Sequence, residues 1–95
     1  MKFESIHPKI WEYARKVSRL GADTVINQVI PWQEVAWARQ IATKEYIPVV
    51  YQSDTDHILV KLPDGESQRT KKDLAYMCDL YDKNGGLLSV AFWGL

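Results

Sequence analysis

One cysteine, two histidines and five glycines in 95 residues leave little material for several kinds of chemistry. A single thiol, Cys78, cannot close an internal disulfide, and this cysteine usage favours a reducing compartment. No CxxC pair, no zinc-type helix motif and no glycine-rich phosphate loop occurs anywhere in the chain. No stretch approaches the roughly 20 apolar residues of a membrane span. The opening Met1-Lys2-Phe3-Glu4-Ser5 has no apolar run behind its lysine, so a signal peptide is not expected. A cytoplasmic location is the resulting expectation.

Net charge is also missing. Twelve basic residues balance twelve acidic ones, which argues against a general nucleic-acid binder, because such affinity rests on phosphate neutralisation. The zero hides an asymmetry. Through Lys44 the chain carries seven basic and four acidic residues, and from Glu45 onward five basic and eight acidic. Two solvated faces of mildly opposite sign account for this.

Hydrophobic residues make up 46% of the chain and charged residues 25%, so the composition is that of a folded globular protein. The length suits one domain, residues 1–95, with one hydrophobic core.

The stretch Tyr46–Leu62 organises the rest. Tyr46-Ile47-Pro48-Val49-Val50-Tyr51-Gln52 and His57-Ile58-Leu59-Val60-Lys61-Leu62 flank four small polar residues, the pattern of a β-hairpin over 46–62. Ile58, Val60 and Leu62 alternate with His57, Leu59 and Lys61, as in a strand with one packed face. Pro48 cannot donate to a ladder, so its strand is either an edge or begins after the proline. Pro63-Asp64-Gly65-Glu66 turns the chain into a short polar strand at Ser67–Arg69.

Helices surround the hairpin. Pro8 suits a first helical turn; Ile10, Tyr13, Ala14, Val17 and Leu20 follow on one face, and Gly21 stops the helix. Trp11 lies beside that stripe. Asp23 or Thr24 opens a short helix before Pro31. The segment from Pro31 to Lys44 has the most hydrophobic helical pattern, with apolar residues over more than half of its circumference. Thr70 to Asp73 resembles a capping box with aspartate in place of glutamate, opening a helix over 71–83 with Leu74, Met77, Cys78 and Tyr81 on its stripe. Asn84-Gly85-Gly86 ends it, and a strand over 87–93 closes the chain. The sum is an α+β fold: a small, mainly antiparallel sheet with helices packed on it.

No residue set points to catalysis. Cys78 on an apolar stripe reads as an inert buried thiol. Asp54-Thr55-Asp56-His57 puts carboxylates and an imidazole together but lacks the glycine and distal glutamate of a calcium loop. No metal, no cofactor and no enzymatic activity is expected. Binding remains. Eleven aromatics, four of them tryptophan, exceed what a small core readily absorbs, and aromatics left at a surface are interface anchors. A stripe through Val35, Ala38 and Ala42 facing the core turns Trp37 and Ile41 aside, with Trp32 on a further side. Trp32, Trp37, Ile41 and Trp11 are therefore the expected protein-binding residues. The partner is another protein or a second copy of the chain, in the manner of an inhibitor, regulator or adaptor of the kind phages and plasmids encode. The alternative is nucleic acid held by Arg69, Lys71 and Lys72 at the start of the last helix, where amides and the helix dipole favour phosphate. Solvated lysines on a capped helix are the simpler explanation of that cluster, and nucleic acid is not the expected partner.

Overall fold

The computed structural model describes Phe3, residues 7–50 and residues 57–95. Among these, helices lie against an antiparallel six-stranded sheet, an α+β arrangement. The element order begins with α1 (His7–Leu20). It continues through one turn of helix, α2 (Ala22–Thr24), into a π-helical turn at Val25–Val29. A 3-10 turn at Trp32–Glu34 then leads to β1 (Trp37–Gln40), β2 (Tyr46–Val50), β3 (His57–Leu62) and β4 (Gly65–Thr70). After α3 (Lys71–Met77) come β5 (Cys78–Tyr81), β6 (Leu87–Ser89) and a closing 3-10 turn at Phe92–Gly94. The strands lie in the order β4-β3-β2-β1-β5-β6.

Gly21 ends α1 with φ 89°, its amide bonded to the Val17 carbonyl at 2.9 Å. A left-handed residue there is cheap only for glycine. Residues 22–29 are helical, as the sequence suggests.

The segment 31–44 is not a helix, which corrects the sequence reading. After the turn at Trp32–Glu34 the chain becomes extended at Val35. The Ala36 amide then reaches the Tyr81 carbonyl at 2.8 Å, and the Val49 amide reaches the Ala36 carbonyl at 2.9 Å. Trp37–Gln40 becomes a central strand. Ala38, with no exposed surface, pairs with Ile47 on one side and Leu80 on the other. A short apolar run fits helix or strand equally, and here neighbours on both sides decide it. Lys44, at φ 61°, completes the reversal into β2.

Pro48 lies in an interior strand, not at an edge. The Val49 amide points to β1, so position 48 directs its missing amide towards β3, whose pairing with β2 comprises Val49–Val60 and Val50–Leu59. The ladder has ended where the donor is absent. The β3–β4 hairpin turns through Pro63 and Asp64, with Leu62 opposite Gly65. The other half of the 46–62 hairpin, the turn at 51–56, lies outside the described residues.

The last helix is shorter than its periodicity implies. Thr70 caps it by accepting the Asp73 amide at 3.0 Å, but helix ends at Met77 and Cys78–Tyr81 is a strand. All four residues of β5 are buried, and a run buried on both faces, Asp79 included, has no apolar–polar alternation to mark it as a strand. The closing strand also stops early. Its ladder ends at Ser89, and the Asp79 carboxylate takes the Ala91 amide at 2.8 Å in place of a backbone acceptor.

One face of the sheet, carrying Ala38, Ile47, Val49, Ile58, Val60 and Leu80, joins the core with Val25, Ile26, Leu74 and Phe92. The Tyr13 hydroxyl donates to the Leu88 carbonyl and ties α1 to the far edge of the sheet.

Candidate interaction surfaces

The four expected anchors do not share a surface. Trp32 is a core residue, 5% exposed, and its Nε1 donates to the Ile26 carbonyl at 2.7 Å. Satisfying the indole N–H internally is what lets a tryptophan sit in a core, so Trp32 is not the surface anchor its sequence position suggests. Trp37 is half-buried against the core margin on β1, beside Pro48. Ile41 is half-buried in the turn after β1, its amide bonded to the Met77 carbonyl at 3.1 Å. Trp11 alone of the four stands out in solvent, 68% exposed.

Trp11 owes this exposure to helix geometry. In α1 only Tyr13 is buried, while Ile10 and Val17 flank it at the core margin. At 100° per residue Trp11 is turned about 160° from Tyr13, and Pro8, Arg15, Ser18 and Arg19 fall within about 80° of Trp11. These residues line a shallow depression along the outer side of the helix. Its charge is one-sided, since Arg15, Lys16 and Arg19 face Glu12 alone. Glu12 is shared by Lys16 at 2.9 Å and Lys9 at 3.7 Å. The Lys16 hydrogen bond, more than any other influence, holds the Glu12 carboxyl below its ordinary range. Arg15 and Arg19 have no ion pair or hydrogen bond among the described residues.

A second surface is the other face of the sheet. Trp37, Pro48, Val50 and Leu59 neighbour one another there through the strand registers, and none is fully buried. Phe3 covers part of this face, stacked on Tyr46 with ring centroids 3.8 Å apart and edge-on to Tyr81 at 4.7 Å. On the same face lies Asp79, 1% exposed; its Oδ1 accepts the Ala91 amide, while its Oδ2, 3.6 Å from Arg39 Nη1, accepts no hydrogen bond among the described residues. Burial raises the Asp79 pKa, opposed by the Ala91 amide and by Arg39. Burial also pushes Tyr81 well up, with the nearby Asp79 charge adding to it.

A third feature is a crevice between α3 and the sheet, into which Cys78 faces. Burial raises the Cys78 thiol to about 11, so it is protonated at neutral pH. Cys78 lies on a strand and not on a helical stripe, but it is buried, as read from the sequence. Sequence reasoning missed this crevice. Its residues come from widely separated segments, and only the Arg69–Asp73 spacing across the Thr70 cap hints at it.

The alternative cluster comprises Arg69, Lys71 and Lys72. Arg69 donates back to Ser67 Oγ and to the Gln68 carbonyl on its own strand, Lys71 is half-buried and Lys72 is exposed. The helix they open has seven residues. Among the described residues no group of three or more His, Cys, Asp or Glu side chains could hold a metal, and Asp54 and Asp56 lie outside them. No helix among them is long and apolar enough to cross a membrane. Comparison of the chain with protein-family models, with curated proteins and with solved structures produced no match.

Proposed function

We propose that the protein acts by binding another protein, without catalysis, through the outer face of α1, and that the partner's contact surface is acidic around an apolar socket. One observation carries this reading. Trp11 is two-thirds exposed on the same side of α1 as Arg15 and Arg19, two guanidiniums with no ion pair among the described residues. An exposed tryptophan presents a large apolar area that gains most when a partner covers it, and tryptophan and arginine dominate interface energetics. The cations set the sign of the partner and steer its approach. Trp37 and Ile41 belong to a different face and serve the sheet; Trp32 serves the core.

The test is comparative capture from the cells that make the protein. Immobilised wild type should retain a protein that Trp11→Ala and the double variant Arg15→Glu/Arg19→Glu both lose, with binding weakened by salt. An unchanged set of bound proteins on either variant defeats the proposal. So does Trp11-dependent binding to duplex nucleic acid or to phosphatidylserine vesicles with no protein partner, because anionic polymers and membranes satisfy the same cations.

A further inference from the structure

The crevice between α3 and the sheet encloses about 270 Å³. Its inner wall is apolar, built from Ile47 of β2, Leu62 of β3, and Leu74 and Cys78 on either side of the α3–β5 junction. Two opposite charges stand at its rim, Arg69 from the end of β4 and Asp73 from the first turn of α3.

These two charges do not neutralise each other. No ion pair within 4.0 Å joins them among the described residues. Thr70 explains the separation. Its hydroxyl holds the Asp73 amide at 3.0 Å, fixing the first turn of α3, while the Arg69 guanidinium is drawn back along β4 by Ser67 Oγ and the Gln68 carbonyl. Both of those bonds use Arg69 Nη1, which leaves Nη2 and Nε as open donors among the described residues. The Asp73 carboxylate accepts no hydrogen bond from a described residue.

We infer that this crevice binds a free apolar α-amino acid of leucine size as its zwitterion. The ligand carboxylate meets the open donors of Arg69, the ligand ammonium meets the Asp73 carboxylate, and the aliphatic side chain lies against Ile47, Leu62 and Leu74. A carboxylate on a guanidinium is the strongest simple pairing a rim arginine offers. At about 270 Å³ the crevice falls just below the roughly 300–1,000 Å³ of drug-sized ligand sites, which suits a ligand of amino-acid size. Small-ligand sites combine an apolar wall with a few convergent polar groups, as here. This inference stands apart from the α1 proposal, since the crevice shares no residue with the outer face of α1.

The experiment uses the intact protein with methyl-labelled isoleucine, leucine and valine, titrated with L-leucine to about 10 mM, a range that reaches millimolar affinity. Saturable shifts are expected at the methyl groups of Ile47, Leu62 and Leu74. 4-Methylpentanoate, which lacks the ammonium, and isoamylamine, which lacks the carboxylate, should each bind at least about tenfold more weakly, the effect of about 1.4 kcal/mol. Arg69→Gln and Asp73→Asn change exposed side chains and should leave the fold intact. Each should weaken leucine about tenfold, Arg69→Gln abolishing the preference for leucine over isoamylamine and Asp73→Asn that over 4-methylpentanoate. The proposal fails if the crevice methyls do not shift, if 4-methylpentanoate or isoamylamine binds as well as leucine, or if neither variant alters affinity.

Discussion

β5 and α1 are opposites. Every residue of the four in β5 is buried, between β1 on one side and β6 on the other, whereas the fourteen residues of α1 bury Tyr13 alone. The strand holds the domain together; the helix is attached to it by a narrow seam. Two tryptophans illustrate the consequence. Trp32 spends its indole N–H on an internal carbonyl and disappears into the core, while Trp11 is turned outwards. On the proposed reading stability and recognition belong to different elements, and substitutions in one should leave the other's property almost untouched.

The largest effect is expected at Trp32. Trp32→Ala empties a buried site and removes the bond to Ile26, so it should cost about 3–5 kcal/mol, close to the whole margin of a domain this size. Urea denaturation followed by circular dichroism measures it. A cost under about 1 kcal/mol would mean that this part of the core does not behave as one packed unit.

Asp79 should come next. Asp79→Ala removes the acceptor of the Ala91 amide, at a cost of about 1–3 kcal/mol, whereas Asp79→Asn keeps an oxygen in place. The two variants also separate by pH. Folding raises the Asp79 pKa, so the native state holds its proton more tightly than the unfolded chain. Its contribution favours the fold at acid pH and is lost as pH rises from the ordinary aspartate range through the raised value. Asp79→Asn should therefore flatten that part of the stability profile. Urea midpoints at a series of pH values check this, and an unchanged profile in Asp79→Asn would assign the dependence to other groups.

A smaller effect is expected at Cys78. With its thiol raised to about 11, roughly one molecule in a thousand carries the thiolate at pH 8. Thiol reagents should label the native protein slowly, at a rate set by opening of the fold. Cys78→Ala should cost about 1 kcal/mol and leave partner binding unchanged. Fast labelling under native conditions would place the thiol in solvent.

These contrasts also show which parts of the molecule its sequence disclosed. The α+β class, the strand at 57–62, the Thr70 cap and the helical turn before Pro31 rest on local signals: alternation, a capping hydroxyl and a glycine at φ 89°. Residues 31–44 and 78–81 do not, because Trp37-Ala38-Arg39-Gln40 and Cys78-Asp79-Leu80-Tyr81 take their conformation from each other. Each is the other's ladder partner, and a pairing across about 40 positions of chain leaves no periodicity in either segment alone. The aromatic count pointed to a surface, but only packing distinguishes Trp11 from Trp32.

The smallest effect on stability, and the largest on recognition, is expected at Trp11. An exposed side chain opposite the buried seam has almost nothing to lose on truncation, so Trp11→Ala should shift unfolding by no more than about 0.5 kcal/mol. If α1 is the recognition face, the same change should weaken the partner by about 2 kcal/mol or more, roughly thirtyfold, as truncation of an interface anchor does. Arg15→Gln and Arg19→Gln should act differently. They should slow association and reduce its salt dependence, with little change in the dissociation rate, because rim charges steer encounter. A Trp11→Ala protein that unfolds readily would show that α1 is held by more than Tyr13, Ile10 and Val17. One that folds and binds at full strength would move recognition to the sheet face around Trp37.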